Sequence, residues 1–157
     1  MISEDKKIIP LINSADTGAG VDMDSFKALG SRVTVIVTHG VVTGNAVWKV
    51  YSGAAAGTKT SAMAFKVAAG GAAIGSANCD VLTAWTDVAS TGLTMAAATY
   101  STKMVILEID CSAMDATNGE EWLTIEISSA GTNAITHAVA ILDKPRYSNG
   151  SSATLLA

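Results

Sequence analysis

The chain has 157 residues, of which 15% are charged and 49% hydrophobic, with a net charge of -4. This length fits one domain, with a core large enough to need no metal or disulfide to hold it together. The acidic balance argues against nucleic-acid binding, which needs a basic patch. The polar start lacks the apolar segment of a signal peptide, and no apolar run reaches about 20 residues, so we expect a soluble chain made in a cytosol. Cys79 and Cys111 are expected to be free thiols.

The first predicted strand covers residues 6–12. Pro10 has no N–H to donate, so this strand belongs at a sheet edge or against another chain. Residues 13–22 are rich in turn formers and predict a loop. Residues 24–30 predict a single helical turn, capped by Asp22 or Asp24 and ended by Gly30. Its Phe26 and Leu29 would then close one end of a sandwich.

Alternating apolar and polar residues predict the next three strands. They cover residues 32–39, 46–51 and 61–67, with a turn at 43–45 and a Gly/Ala/Thr loop at 52–60. The third of them places Met63, Phe65 and Val67 inward. Residues 68–78 form a connection of small residues, residues 79–84 are extended, and residues 85–87 turn the chain. Residues 93–100 fit either a strand or a helical turn.

Residues 103–111 contain the clearest strand, with Val105, Leu107, Ile109 and Cys111 on one face. The Asn118-Gly119 pair is a strong hairpin signal, so residues 121–128 are expected to pair back on this strand. Their inward side chains would be Leu123, Ile125 and Ile127. A last strand covers residues 135–142, Pro145 stops it, and residues 147–157 form a Ser/Gly/Ala tail.

Many short strands separated by turn signals predict an all-β fold. We expect an antiparallel β-sandwich, jelly-roll-like, with at most one or two short helical turns. No internal repeat or domain boundary is visible, so residues 1–157 form a single domain. Its terminal arms would cover about residues 1–12 and 148–157.

No motif indicates catalysis, and the expectation is a protein that is not an enzyme and has no cofactor or metal site. His39 and His137 are interpreted as a loop histidine and a strand-face histidine, and Gly70, Gly71 and Gly75 as loop residues rather than a phosphate cradle. The densest acidic cluster is better explained as a solvated hairpin end than as glycosidase carboxylates or a calcium loop. It consists of Glu108, Asp110, Asp115, Glu120 and Glu121. Trp85 and Trp122 could stack on a sugar, although core or subunit contacts are the commoner role.

Five segments resemble a family of small virion proteins of tailed bacteriophages. They are residues 35–40 (Val-Ile-Val-Thr-His-Gly), 44–51 (Gly-Asn-Ala-Val-Trp-Lys-Val-Tyr), 64–66 (Ala-Phe-Lys), 84–88 (Ala-Trp-Thr-Asp-Val) and 139–147 (Val-Ala-Ile-Leu-Asp-Lys-Pro-Arg-Tyr). The resemblance spans about residues 30–147 and implies a capsid decoration, or cement, protein on the outer capsid surface of a virion.

This resemblance implies the major capsid protein as partner, whereas the charge, the lack of a long apolar run and the lack of motifs predict no nucleic acid, no membrane and no catalytic residues. Shell symmetry favours a homotrimer. The two arms suit strand addition to a neighbour, so we expect contacts with the capsid or another subunit at residues of the arms and at their start: Lys6, Lys7, Ile8, Ile9, Arg146, Tyr147, Leu155 and Leu156. The alternatives are a neck, tail or fibre subunit of the same particle, or a carbohydrate-binding β-sandwich using the tryptophans and the acidic cluster.

Overall fold

The structure is a computed structural model that describes residues 6–28, 31–128 and 134–143. It consists of two antiparallel sheets. Its strands are β1 (Lys6–Asp16), β2 (Val21–Asp22), β3 (Phe26–Lys27), β4 (Arg32–Val42), β5 (Ala46–Gly53), β6 (Ser61–Met63), β7 (Phe65–Ala69), β8 (Thr86–Val88), β9 (Leu93–Met95), β10 (Met104–Asp110), β11 (Trp122–Ile127) and β12 (Ala134–Asp143). Helical structure in these ranges consists of α1 (Ala97–Tyr100) and two 3-10 turns, Cys111–Ala113 and Ala116–Asn118. The all-β prediction is confirmed.

The strand order identifies the sandwich as a jelly roll. Sheet A has the order β1-β12-β4-β10-β7-β8, and sheet B has the order β2-β11-β5-β6, with β3 also on β11 and β9 on β5. If β2 and β3 count as one strand and β7, β8 and β9 are set aside, eight main strands remain. Numbered along the chain, they give 1-8-3-6 in sheet A and 2-7-4-5 in sheet B, the order of a jelly roll.

The core lies between the two sheets and is filled by alternate residues of each long strand. Val105, Leu107 and Ile109 of β10 are fully buried, as are their β4 neighbours Val33, Val35 and Val37. From sheet B, the predicted inward residues Leu123, Ile125 and Ile127 are at most 2% exposed. Residues facing each other across a sandwich remove their apolar surface from water, which is the main stabilising term. The inward residues of β10 and β11 are those predicted from the sequence.

Strand β1 occupies the edge of sheet A and pairs with β12 along its length. The edge position expected from Pro10 is confirmed. The strand continues beyond the predicted residue 12 to Asp16, through two register shifts. Proline has no N–H to donate. An edge strand tolerates this because one of its sides has no neighbouring strand to receive hydrogen bonds, whereas a central strand needs donors on both sides.

The helical turn predicted at residues 24–30 is wrong in its described part. Phe26 and Lys27 form β3, which pairs with Leu123 and Trp122 of β11. Successive side chains point to opposite sides here, as in a strand. Phe26 is fully buried in the core, while Lys27 points outward to Glu121. Leu29 and Gly30, the proposed end of the turn, lie outside the described residues.

The hairpin predicted after β10 is also wrong. Strand β10 belongs to sheet A, whereas β11 pairs with β5 in sheet B, so the connection crosses the sandwich. Two 3-10 turns occupy this connection. The carboxylate of Asp110 accepts from the Ser112 N–H in the first, and that of Asp115 accepts from two backbone N–H groups in the second. Together with α1 they make three short helical turns within the described residues, where one or two at most were expected.

Residues 61–67 were predicted as one strand, but the chain changes sheets in the middle of them. Ala64 separates β6, which pairs with β5 in sheet B, from β7, which pairs with β10 in sheet A. Met63, Phe65 and Val67 are nevertheless all buried, as predicted, because both halves face the same core. Residues 86–88 are strand β8 rather than part of a turn, and residues 93–100 contain both a strand and a helical turn.

Candidate interaction surface

The N-terminal residues expected to make contacts lie on β1. Ile8 is 54% exposed, and Lys6 is exposed and pairs with Asp143 of β12 at 2.5 Å. Ile9 is 3% exposed and contributes to the core, and Lys7 is half-buried. The remaining four residues, Arg146, Tyr147, Leu155 and Leu156, lie outside the described residues. Contact with a partner at these positions stays a prediction.

The outer face of sheet A carries aliphatic side chains across four neighbouring strands. We call the following set the apolar face: Ile8 of β1, Val139 and Ile141 of β12, Ile36 of β4, and Met104 and Ile106 of β10. The register places Ile8 beside Ile141, and Val139 beside Ile36, which in turn lies beside Ile106. All but Ile8 are half-buried. The same three rows of outward positions also hold Thr34 and Thr38 of β4, Pro10 of β1, His137 of β12 and Glu108 of β10.

Charged residues border one end of the apolar face, and each has a partner of opposite charge. Arg32 lies 3.4 Å from Glu108, and Lys66 lies 3.7 Å from Asp87. With Asp110, Phe65 and Val88 these residues line a cleft of about 210 Å³. The cleft therefore holds two cations and three carboxylates, a mixture of both signs with a slight acidic excess.

The outer face of sheet B is ionic and aromatic instead. The Lys59 ammonium contacts Glu126 at 2.5 Å and Asp22 at 3.1 Å, and lies 5.8 Å from the centre of the Tyr51 ring. Hydrogen bonds to Glu126 and then Asp22 raise the pKa of Lys59. Such pairs stay hydrated and contribute little to stability, so this face is suited to contact with water. The two outer faces of the sandwich thus differ in chemistry.

The predicted acidic cluster is divided among separate local structures. Glu108 pairs with Arg32, Glu121 pairs with Lys27, and Asp110 and Asp115 cap the two 3-10 turns. Glu120 is 6% exposed. It accepts hydrogen bonds from Ser52 Oγ at 2.5 Å and Ser61 Oγ at 2.8 Å, which hold its pKa below the usual range. Within the described ranges, no three His, Cys, Asp or Glu side chains come together as metal ligands.

His39 is a buried strand residue, so its interpretation as a loop histidine is wrong. Its position in β4 turns the ring into the core, where it is 6% exposed and meets the edge of Trp48 at 5.2 Å. Nδ1 lies 3.3 Å from Thr136 Oγ1, while Nε2 is buried without a hydrogen-bond partner among the described residues. Burial lowers the pKa of His39 to about 4. The His39 imidazole is therefore neutral at pH 7 and is part of the core.

The cysteines and tryptophans do not come together as a site. Both cysteines are free, and burial raises the pKa of Cys111 to about 12. Trp85 is 46% exposed beside β8 of sheet A, whereas Trp122 is half-buried on β11 of sheet B. The Lys27 ammonium lies 5.4 Å from the Trp122 ring centre. The two rings are thus carried by different sheets, and one of them already has a cationic neighbour.

Sequence reasoning missed the apolar face, although a signal for it was present. Residues 35–37, 104–107 and 138–142 are nearly continuous apolar runs instead of alternating ones. Such runs are typical of strands covered on both faces. In this structure sheet B covers one side of β4, β10 and β12, and the aliphatic residues of the apolar face on their other side are half-buried.

Comparison with known proteins gives one structural similarity. No family model and no curated protein matches the chain. The crystal structure of the SPBc2 prophage-derived protein YomS is similar over 87% of this chain and 93% of that one. The TM-score is 0.41 and the sequence identity 11%, values at which we base no argument on the similarity. No helix in the described parts of the chain is long and apolar enough to cross a membrane.

Proposed function

We propose that this chain is a structural virion protein that decorates the capsid of a tailed bacteriophage and stabilises it by binding across capsomer seams as a homotrimer. The observation that carries the proposal is the sequence resemblance spanning about residues 30–147. Four of its five segments overlap the described strands β4, β5, β7 and β8, and the fifth begins in β12. The resemblance therefore lies in strands of both sheets rather than in one loop.

The proposed role is mechanical and requires no catalytic group. A ligand that binds the assembled shell but not free capsomers shifts the equilibrium toward the assembled state. The partner is the major capsid protein, and the site of action is the outer capsid surface. A sandwich with a continuous core from both sheets gives a rigid body for such a link. The edge strand β1 is suited to strand addition to a neighbour.

Copy number on the particle tests the proposal. The native particle is purified, and this chain is quantified against the major capsid protein by mass spectrometry. A ratio of about one, or about one-third, supports decoration of the whole shell. A ratio of a few per cent would move the chain to the neck, tail or fibres of the particle, and absence from the particle would refute a virion role.

Deletion of the gene tests the stabilising role separately. Heads made without the chain should assemble but release their DNA at lower temperature and under milder osmotic shock than wild-type heads. Adding back the purified chain should restore resistance, which serves as the control for indirect effects of the deletion. Equal burst resistance with and without the chain would contradict the cement role.

A further inference from the structure

We propose that the apolar face of sheet A is the surface that lies against the capsid shell, with the outer face of sheet B directed to solvent. This inference rests on the proposed function and adds an orientation to it. It starts from the contrast between the two outer faces. One presents aliphatic residues on four adjacent strands, and the other presents a lysine held between two carboxylates over a tyrosine ring.

The aliphatic residues on the outer face of sheet A are unusual for an antiparallel sheet. An antiparallel sheet with one solvated face normally alternates apolar inward and polar outward residues. Sheet A breaks this rule at Ile36, Ile106 and Val139, which lie side by side at its centre. Contiguous apolar patches of this kind mark interaction sites on soluble proteins.

The charges around the apolar face favour a partner with little net charge at the contact. Lys6, Arg32 and Lys66 each have a carboxylate partner within this chain. Paired charges create little long-range field, so the face neither requires a strongly charged partner nor repels a neutral one. The partner chemistry is therefore a flat protein surface with exposed aliphatic side chains.

The size of the face distinguishes a shell from a second copy of the chain. Four strands about 4.8 Å apart and three rows of outward residues about 6.8 Å apart cover about 400 Å². A stable pairwise complex buries about 800 Å² on each partner, so face-to-face pairing of two copies would be weak. A trimer resting on a shell presents three such faces to one partner, and their combined binding exceeds that of any one face.

The test uses heads made without the chain and matched substitutions on the two outer faces. Val139 on the apolar face and Val47 on the outer face of sheet B are both half-buried strand valines. Val139→Lys should raise the concentration needed for half-saturation of the heads at least about tenfold, because it buries an unpaired charge. Val47→Lys should bind within about twofold of wild type. Thermal melting of each variant confirms folding, and Val139→Thr replaces Val139→Lys if the latter unfolds, with Val47→Thr as its control.

Each outcome separates the orientation from the function. If the unmodified chain does not co-sediment with the heads, the proposed function fails. If it binds and both lysine variants bind equally well, the orientation is refuted while the function stands. Loss of binding with Val47→Lys alone would place sheet B on the shell. A concentration-dependent dimer in analytical ultracentrifugation, lost in Val139→Lys while head binding persists, would assign the apolar face to a second copy.

Discussion

The pH dependence of stability should report directly on His39. In the unfolded chain this histidine has its ordinary pKa of 6.5, whereas in the fold burial lowers the pKa to about 4. Between these values the unfolded state holds a proton that the folded state does not, so the free energy of unfolding falls as the pH falls. The loss begins as the pH drops through 6.5 and is complete below about pH 4.

The magnitude follows from the same two values. Between pH 7 and pH 5, protonation of His39 in the unfolded chain alone should lower the free energy of unfolding by about 2 kcal/mol. Protonation of carboxylates changes the free energy of unfolding mainly at lower pH. Asp110 and Glu120 have pKa values lowered from 3.8 and 4.5, mainly by hydrogen bonds from Ser112 and Ser52. Their stabilising contributions are present above those ordinary values and are lost as the pH falls through the lowered ones.

Urea unfolding at pH 7, 6 and 5 measures this effect in wild type and in His39→Phe. The variant should lose most of the decline, since phenylalanine keeps the edge contact with Trp48 and cannot be protonated. It should also be at least as stable as wild type at pH 7, because it removes the unpaired Nε2 from the core. His137→Gln, on the exposed side of β12, is the control and should retain the His39 contribution. An unchanged slope in His39→Phe would refute the reasoning.

Three further predictions concern the core and the turns. Leu107→Ala, at a fully buried position, should cost about 3 kcal/mol and lower the Tm by about 6–12 °C in a thermal melt; a change under 2 °C would contradict its place in the core. Gly92→Ala should destabilise more than Gly57→Ala in urea titrations, since both have positive φ but only at Gly92 would the new Cβ meet a backbone oxygen, at 2.6 Å; equal losses would exclude the clash. A thiol reagent at pH 8 should modify the half-buried Cys79 first and Cys111 only after unfolding, and two fast-reacting thiols in the native protein would disprove the burial of Cys111.

The alternation of apolar and polar residues predicted well which side chains of each strand are buried. Successive side chains point to opposite faces of any strand, whichever strands lie beside it. Ile109 and Ile125 alternate with more polar neighbours, and each proved to be in the core. Which sheet a strand joins depends on distant partners, and the local pattern does not contain that information. Thus β10 and β11 were expected to form a hairpin across Asn118-Gly119, although Gly119, with φ of 69°, ends a 3-10 turn within a crossover.

The same distinction applies to Pro10, His39 and the apolar face: features set by one residue could be predicted, and features set by distant strands could not. The edge position of Pro10 could be predicted because a missing N–H is a property of one residue. The burial of His39 could not, since it depends on Trp48 and Thr136 from two other strands. The apolar face required knowing that Ile36, Ile106 and Val139 lie side by side, which only the strand order supplies.

The pairing of β1 with β12 has a consequence for biosynthesis. Lys6 lies opposite Asp143, and β12 also fills the gap between β1 and β4. During synthesis, strand β1 must therefore wait until β12 has been made before it can pair in sheet A. Pairings so distant in sequence make folding slow. During that interval the aliphatic strands of sheet A are exposed, so this chain should depend on chaperones, or on low temperature, when it is produced faster than it can fold.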